Sequence, residues 1–144
     1  MSLNGAYDPD NIFAKILRGE VPATKVYEDD DVLSFMDLFP QARGHTLVIP
    51  KSVQARNLLD IEPAALSRLI AGVQKVARAV EAALSPEGLI VTQFNGAPAG
   101  QTVFHLHFHI IPRWHGEALG GHGQRMADVE ALKALAAQIA AKIV

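Results

Sequence analysis

The sequence predicts an α+β domain. It would have about five short, mainly antiparallel strands, one long central helix, a short N-terminal helix and a C-terminal helix. Three observations lead there. Strand-length apolar runs at 24–28, 31–37 and 45–50 precede any long helical period. Between about 60 and 84 the apolar spacing changes to that of a helix. Two more strand-like runs, 89–94 and 103–111, then follow. Strand-strand-strand-helix-strand-strand is not the regular alternation of a doubly wound sheet.

The elements follow in order. Residues 8–19, DPDNIFAKILRG, read as a short helix. Asp10 or Asn11 can cap it, Ile12, Phe13, Ile16 and Leu17 form its stripe, and Gly19 can end it before Pro22. The runs TKVYE and DVLSFMD are separated only by acidic turn residues, which favours an antiparallel hairpin. HTLVIP gives a third strand, stopped by Pro50. The long helix carries Leu66, Leu69, Ile70, Val73, Val76, Ala77, Val80 and Leu84 at helical spacing, with Pro63 in its first turn. Ser85, Pro86, Glu87 and Gly88 end it. LIVTQF (89–94) is a strand, NGAPAGQ (95–101) a Gly/Pro loop, and 103–111 a strand ended by Pro112. Residues 115–123 are rich in glycine, and 127–143 form a last helix with Val129, Leu132, Leu135 and Ile139 on one face.

Composition narrows the function classes. The chain has 144 residues, 49% of them apolar and 19% charged, enough for one real core. The formal net charge of −2, with no long Lys/Arg run, argues against a polymeric nucleic acid as partner but leaves a single nucleotide open. With no cysteine there can be no disulfide, thiolate metal site or thiol nucleophile. No run approaches ~18 apolar residues, and the N-terminus has no signal-peptide pattern, so we expect no membrane span and a cytoplasmic location.

The chemistry concentrates in QTVFHLHFHII, residues 101–111. In a strand, His105, His107 and His109 would share one face, roughly 7 Å apart from one to the next, with Leu106, Phe108 and Ile110 turned to a core. A lone strand histidine is usually solvated or simply hydrogen-bonded, but three in alternation ask for more. One reading is metal, with His45 or Asp37 supplying a further ligand through the fold. Another is nucleophilic catalysis at phosphorus, in which one imidazole attacks and its neighbours donate to phosphate oxygens or protonate a leaving group. The preceding loop favours phosphate. Gly96 and Gly100 allow close backbone approach, and Gln101 and Thr102 offer an amide and a hydroxyl.

HLHFHII, preceded by GQTV, followed by PRW, and joined by SFMDLFPQARGHTLVIPK at 34–51, resembles the histidine triad (HIT) family of nucleotide hydrolases and transferases, in its bacterial, Hint-like form. The resemblance covers residues 8–115 as a HIT domain, with 116–144 as a C-terminal extension carrying the terminal helix. It implies that His107 is the nucleophile, attacking the α-phosphate of a purine nucleotide to form a nucleotidyl-histidine that water resolves. His109 would donate to the phosphate, and His105 would orient the nucleophile through backbone groups and His45. Asp37 would bind ribose hydroxyls. Asn95, Gln101 and Thr102 would surround the phosphate and leaving group, and Ile12, Phe13 and Leu38 would enclose the base.

Adenosine phosphoramidates, such as AMP joined to an amine, are the implied substrates. The alternatives are a dinucleoside polyphosphate hydrolase and a nucleotide- or metal-binding protein without significant turnover. No cofactor is implied for the covalent step, although a divalent cation could assist with polyphosphates. A homodimer is implied by the family's habit of joining two sheets. Many relatives carry a Cys-x-x-Cys as half of a structural zinc site, but here that stretch is Asn11, Ile12, Phe13 and Ala14. We therefore expect no metal. His115 and His122 are expected to be solvated.

Overall fold

A computed structural model describes residues 3–120 and 125–144. Its elements in chain order are α1 (Ile12–Leu17), β1 (Lys25–Glu28), β2 (Val32–Met36), β3 (Thr46–Pro50), α2 (Pro63–Leu84), β4 (Gly88–Thr92), β5 (Phe108–Arg113) and α3 (Val129–Ala140). The strands form one antiparallel sheet in the order β1-β2-β3-β5-β4. This is the architecture that the resemblance implied.

Local signals place the ends of the helices. The Asn11 side chain accepts from Ala14 N–H at the start of α1, and Asp128 does the same for Ala131 at the start of α3. Pro63 occupies the first turn of α2, and Ser85 ends that helix in the left-handed conformation before Pro86. All three helices are shorter than their apolar patterns suggest, because the outermost residues lie beyond these caps.

Both faces of the sheet are covered, which is why β2 and β3 are buried at every position. On one face Val32, Met36, Val48, Leu106 and Ile110 pack against α2 and α3. On the other, Leu33, Phe35, Leu47 and Ile49 pack against Phe13 and Ile16 of α1. The helix of the C-terminal extension thus joins the main core through Leu132, Ala136 and Ile139. Gly72 lets α2 lie close on the sheet. A Cβ there would stand 2.9 Å from both γ-carbons of Val32.

The histidine segment departs from expectation at both ends. β5 begins at Phe108, so among the three histidines only His109 lies in the ladder, opposite Leu47 and Thr92. The segment before it is held elsewhere, by Leu106 N–H donating to the Ala55 carbonyl at 2.9 Å. Pro112 does not stop the strand; it pairs with Leu89. The β3 ladder ends at Thr46–Ile110, so Pro112 sits where β5 has only β4 beside it, and its missing N–H costs no ladder bond.

Candidate active site

The site forms on the α1 face, where the start of β3, the start of β5 and the 101–107 segment converge. His45 immediately precedes β3, and His109 faces the same side as its cross-strand neighbour Leu47. Leu106 and Ile110 enter the opposite core, as their alternation with the histidines predicts. The histidines themselves do not line an open surface. His45, His105, His107 and His109 are all buried, none more than 7% exposed. The His107 and His109 ring centroids lie 5.0 Å apart, and Phe13 stands edge-on to His107 at 4.9 Å.

Hydrogen bonds set where each ring carries its proton. His107 Nδ1 lies 2.7 Å from the His105 carbonyl, which can only accept, so Nδ1–H donates and the lone pair is on Nε2. His105 Nε2 donates to the Pro50 carbonyl at 3.1 Å, leaving Nδ1 to accept from the Tyr7 hydroxyl at 2.6 Å. His45 Nδ1 accepts from the Gln41 backbone N–H at 3.0 Å, which places the His45 proton on Nε2. That nitrogen is 2.9 Å from His109 Nδ1 and 3.4 Å from Asp37 Oδ2. Accepting from His45 puts the His109 proton on Nε2. The upstream histidine therefore meets His109, not His105 as the resemblance implied. The reason is register: Leu47 pairs with His109, and His45, two residues before Leu47, shares its face and lies diagonally from His109.

Burial pushes His105 down to about 4 from its ordinary 6.5; the Pro50 carbonyl works against this by favouring the proton. His105 is thus a neutral, fixed ring. Tyr7 is pushed up, first by desolvation, and so keeps the hydroxyl proton that it donates.

The remaining expected residues divide. Asp37 is half-buried beside His45, with Oδ1 accepting from Phe39 N–H at 2.8 Å. Ile12 and Thr102 line a cleft of about 360 Å³ that also takes in Asp8, Asn11 and Phe104. Phe13 packs on the histidines and on Phe35. Leu38 is 39% exposed, and its carbonyl accepts from Ala127 N–H at 2.8 Å.

Gln101 and Asn95 are turned to structural tasks. The buried Gln101 amide accepts from Gly96 N–H and donates to the Arg56 and Val103 carbonyls, bracing the loop. Asn95 accepts from Leu58 N–H and exchanges bonds with the Gln93 amide. His115 is exposed and 3.6 Å from Glu87, whereas His122 lies outside the described residues.

One atom each from Asp37, His45 and His109 lie within 4.8 Å of one another, the spacing of a metal site. The donor set does not suit a cation as it stands. For His45 Nε2 to ligate, the ring proton would have to move to Nδ1, where it would face the Gln41 N–H.

Three contributors escape a reading of the sequence. Tyr7 precedes the first helix and Gln41 sits in a polar turn, and neither falls in a periodic pattern. Phe94, whose ring lies 5.5 Å from His109, reads only as the end of a strand.

A family model described as HIT domain matches residues 18–116. A HIT-like protein of Bartonella henselae of known structure is 52% identical, with a TM-score of 0.88 over 95% of this chain and 99% of that one. The adenosine 5′-monophosphoramidase hnt1 of Schizosaccharomyces pombe is 37% identical over 92% of this chain and 97% of its own length. The adenylylsulfatase HINT3 of Arabidopsis thaliana is 38% identical over 85% of this chain and 64% of its own.

Proposed function

The chain belongs to the histidine triad (HIT) family, and from that premise we propose that it is a nucleotide hydrolase acting at the α-phosphate of adenosine phosphoramidates. The observation that carries this reading is the 2.7 Å bond from His107 Nδ1–H to the His105 carbonyl. It directs the His107 lone pair to Nε2, the atom a nucleophile would use. Two relatives with named activities, a monophosphoramidase and an adenylylsulfatase, point to adenylyl substrates.

In the proposed reaction His107 Nε2 attacks phosphorus and the P–N bond breaks. The leaving amine takes a proton from solvent water and departs. The ring, now bonded at Nε2, is cationic, and the His105 carbonyl accepts its Nδ1–H throughout. His109 Nε2–H would donate to a phosphoryl oxygen as charge grows there. Water then attacks phosphorus, releasing AMP and restoring His107. Asp37 would receive the ribose hydroxyls, and Phe13, Ile12 and Leu38 would meet the base. The covalent step uses no cofactor; a divalent cation would serve only a polyphosphate substrate.

We also propose a homodimer, paired along β4. That strand is a sheet edge with Val91 49% exposed, and Leu58, Leu59 and Ile70 are exposed apolar residues as well. No helix among the described residues is long and apolar enough to cross a membrane. Our proposed location is the cytoplasm, where nucleotides are plentiful.

The test is intact-protein mass spectrometry after brief mixing with an adenosine phosphoramidate and acid quench. An added AMP mass, absent from His107→Asn, is the expected result. The variant should keep AMP binding while turnover falls by roughly three orders of magnitude or more. AMP release only from a dinucleoside polyphosphate would reassign the substrate. Binding with no turnover of either would leave a nucleotide-binding protein.

A further inference from the structure

The C-terminal extension reaches back to the active-site face at two points. Gly120 N–H donates to the Gln41 carbonyl at 2.7 Å, and the Gln41 side-chain amide donates to the Gly120 carbonyl at 3.2 Å. Ala127 N–H donates to the Leu38 carbonyl at 2.8 Å. At Gly120 and Ala127 the extension therefore meets the turn that leads from Asp37 to His45. It grips Gln41 by main chain and side chain together, and it is Gln41 whose N–H fixes the His45 proton. The fit at Gly120 is close: a Cβ there would stand 3.0 Å from the Gln41 carbonyl oxygen.

Resting on the reading of His109 as phosphate donor, we propose that the extension is a positioning element, and that Gly120 acts through Gln41 to hold the proton arrangement of the His45–His109 pair. The chain of bonds runs through one residue. Gly120 holds Gln41 by its carbonyl and its side-chain amide, Gln41 N–H, on the other side of the same α-carbon, occupies His45 Nδ1, and His45 Nε2–H occupies His109 Nδ1. The two links to imidazoles each admit one ring tautomer, so the last presents Nε2–H of His109 to the substrate. Without the first link Gln41 can turn about its α-carbon and withdraw its N–H, and His45 gains the tautomer that turns a lone pair toward His109. His109 would then carry its proton on Nδ1 and offer the phosphate no donor.

Long-range proton–nitrogen spectra of the ¹⁵N-labelled full chain read ring protonation directly. In the native protein His45 and His109 should each be protonated at Nε2. Gly120→Val, an exposed change that touches no core residue, should populate the Nδ1-protonated form of both rings. It should lower kcat for adenosine phosphoramidate roughly 10- to 100-fold, as misplaced catalytic groups do, with KM little changed. Gln41→Ala, which keeps the main-chain bonds, should move the spectra the same way by less. Native ring spectra in Gly120→Val overturn the proposal, whether or not kcat falls, because a fall alone would reflect a structural role. Should Gly120→Val not fold, Gln41→Ala decides by the same criterion. If the native protein releases no AMP, the hydrolase reading fails while the spectra still decide the clamp.

Discussion

The Tyr7 hydroxyl donates to His105 Nδ1 across 2.6 Å, joining the segment before the first helix to the first histidine of the triad. His105 in turn offers its carbonyl to His107. The nucleophile proposed here is therefore oriented by a residue that lies outside every recognisable motif.

Removing that hydroxyl leaves a buried acceptor unsatisfied. Tyr7→Phe should cost about 1–3 kcal/mol of stability, the range for an orphaned buried polar atom. Urea denaturation at neutral pH measures it. A change near zero would mean that water replaces the hydroxyl.

His105 makes stability pH-dependent. Its folded value is about 4, below the 6.5 of an unfolded chain. Between those values the unfolded chain binds a proton that the folded one refuses, so acid favours unfolding. The contribution of the neutral ring is full above about pH 6.5 and is lost as pH falls toward 4, about 3 kcal/mol in all. Denaturation midpoints at pH 7 and 4.5 should differ accordingly, and His105→Asn should remove this part of the difference.

Gln101→Ala should act on stability before it acts on binding. Three loop bonds depend on its amide, so unfolding should ease by about 1–3 kcal/mol. A calorimetric AMP affinity measured well below the melting temperature should change little. A lost affinity at unchanged stability would return Gln101 to the phosphate.

Asp37→Ala should weaken AMP by about tenfold, the loss of one or two charge-assisted hydrogen bonds to a diol. It should leave deoxyribose analogues less affected than AMP itself. Equal losses for both would show that Asp37 serves His45 instead of the sugar.

The sheet, its three helices and the identity of the histidine cluster were legible because each depends on local pattern. Alternation placed Leu106 and Ile110 in the core, and Asn11 capped α1 as its type suggests. Pairings between distant segments were not legible. Whether His45 meets His105 or His109 depends on the β3–β5 register, which spacing along the chain does not encode. Gln101 looked like a ligand donor because a glutamine before three histidines offers an amide; only the fold reveals that Gly96, Arg56 and Val103 use it. Tyr7 acts through one bond to a ring far along the chain, and Gln41 through its backbone N–H, which any non-proline residue there would offer; neither leaves a periodic trace.

The bare α-carbon of Gly72 has a consequence at a distance. It sets the clearance between α2 and Val32, and β2 holds the register of β3, whose first residues hold that of β5. One added methyl would act as a wedge behind the sheet, so the alignment of His45 with His109 is metered on the far face by a residue with no side chain at all.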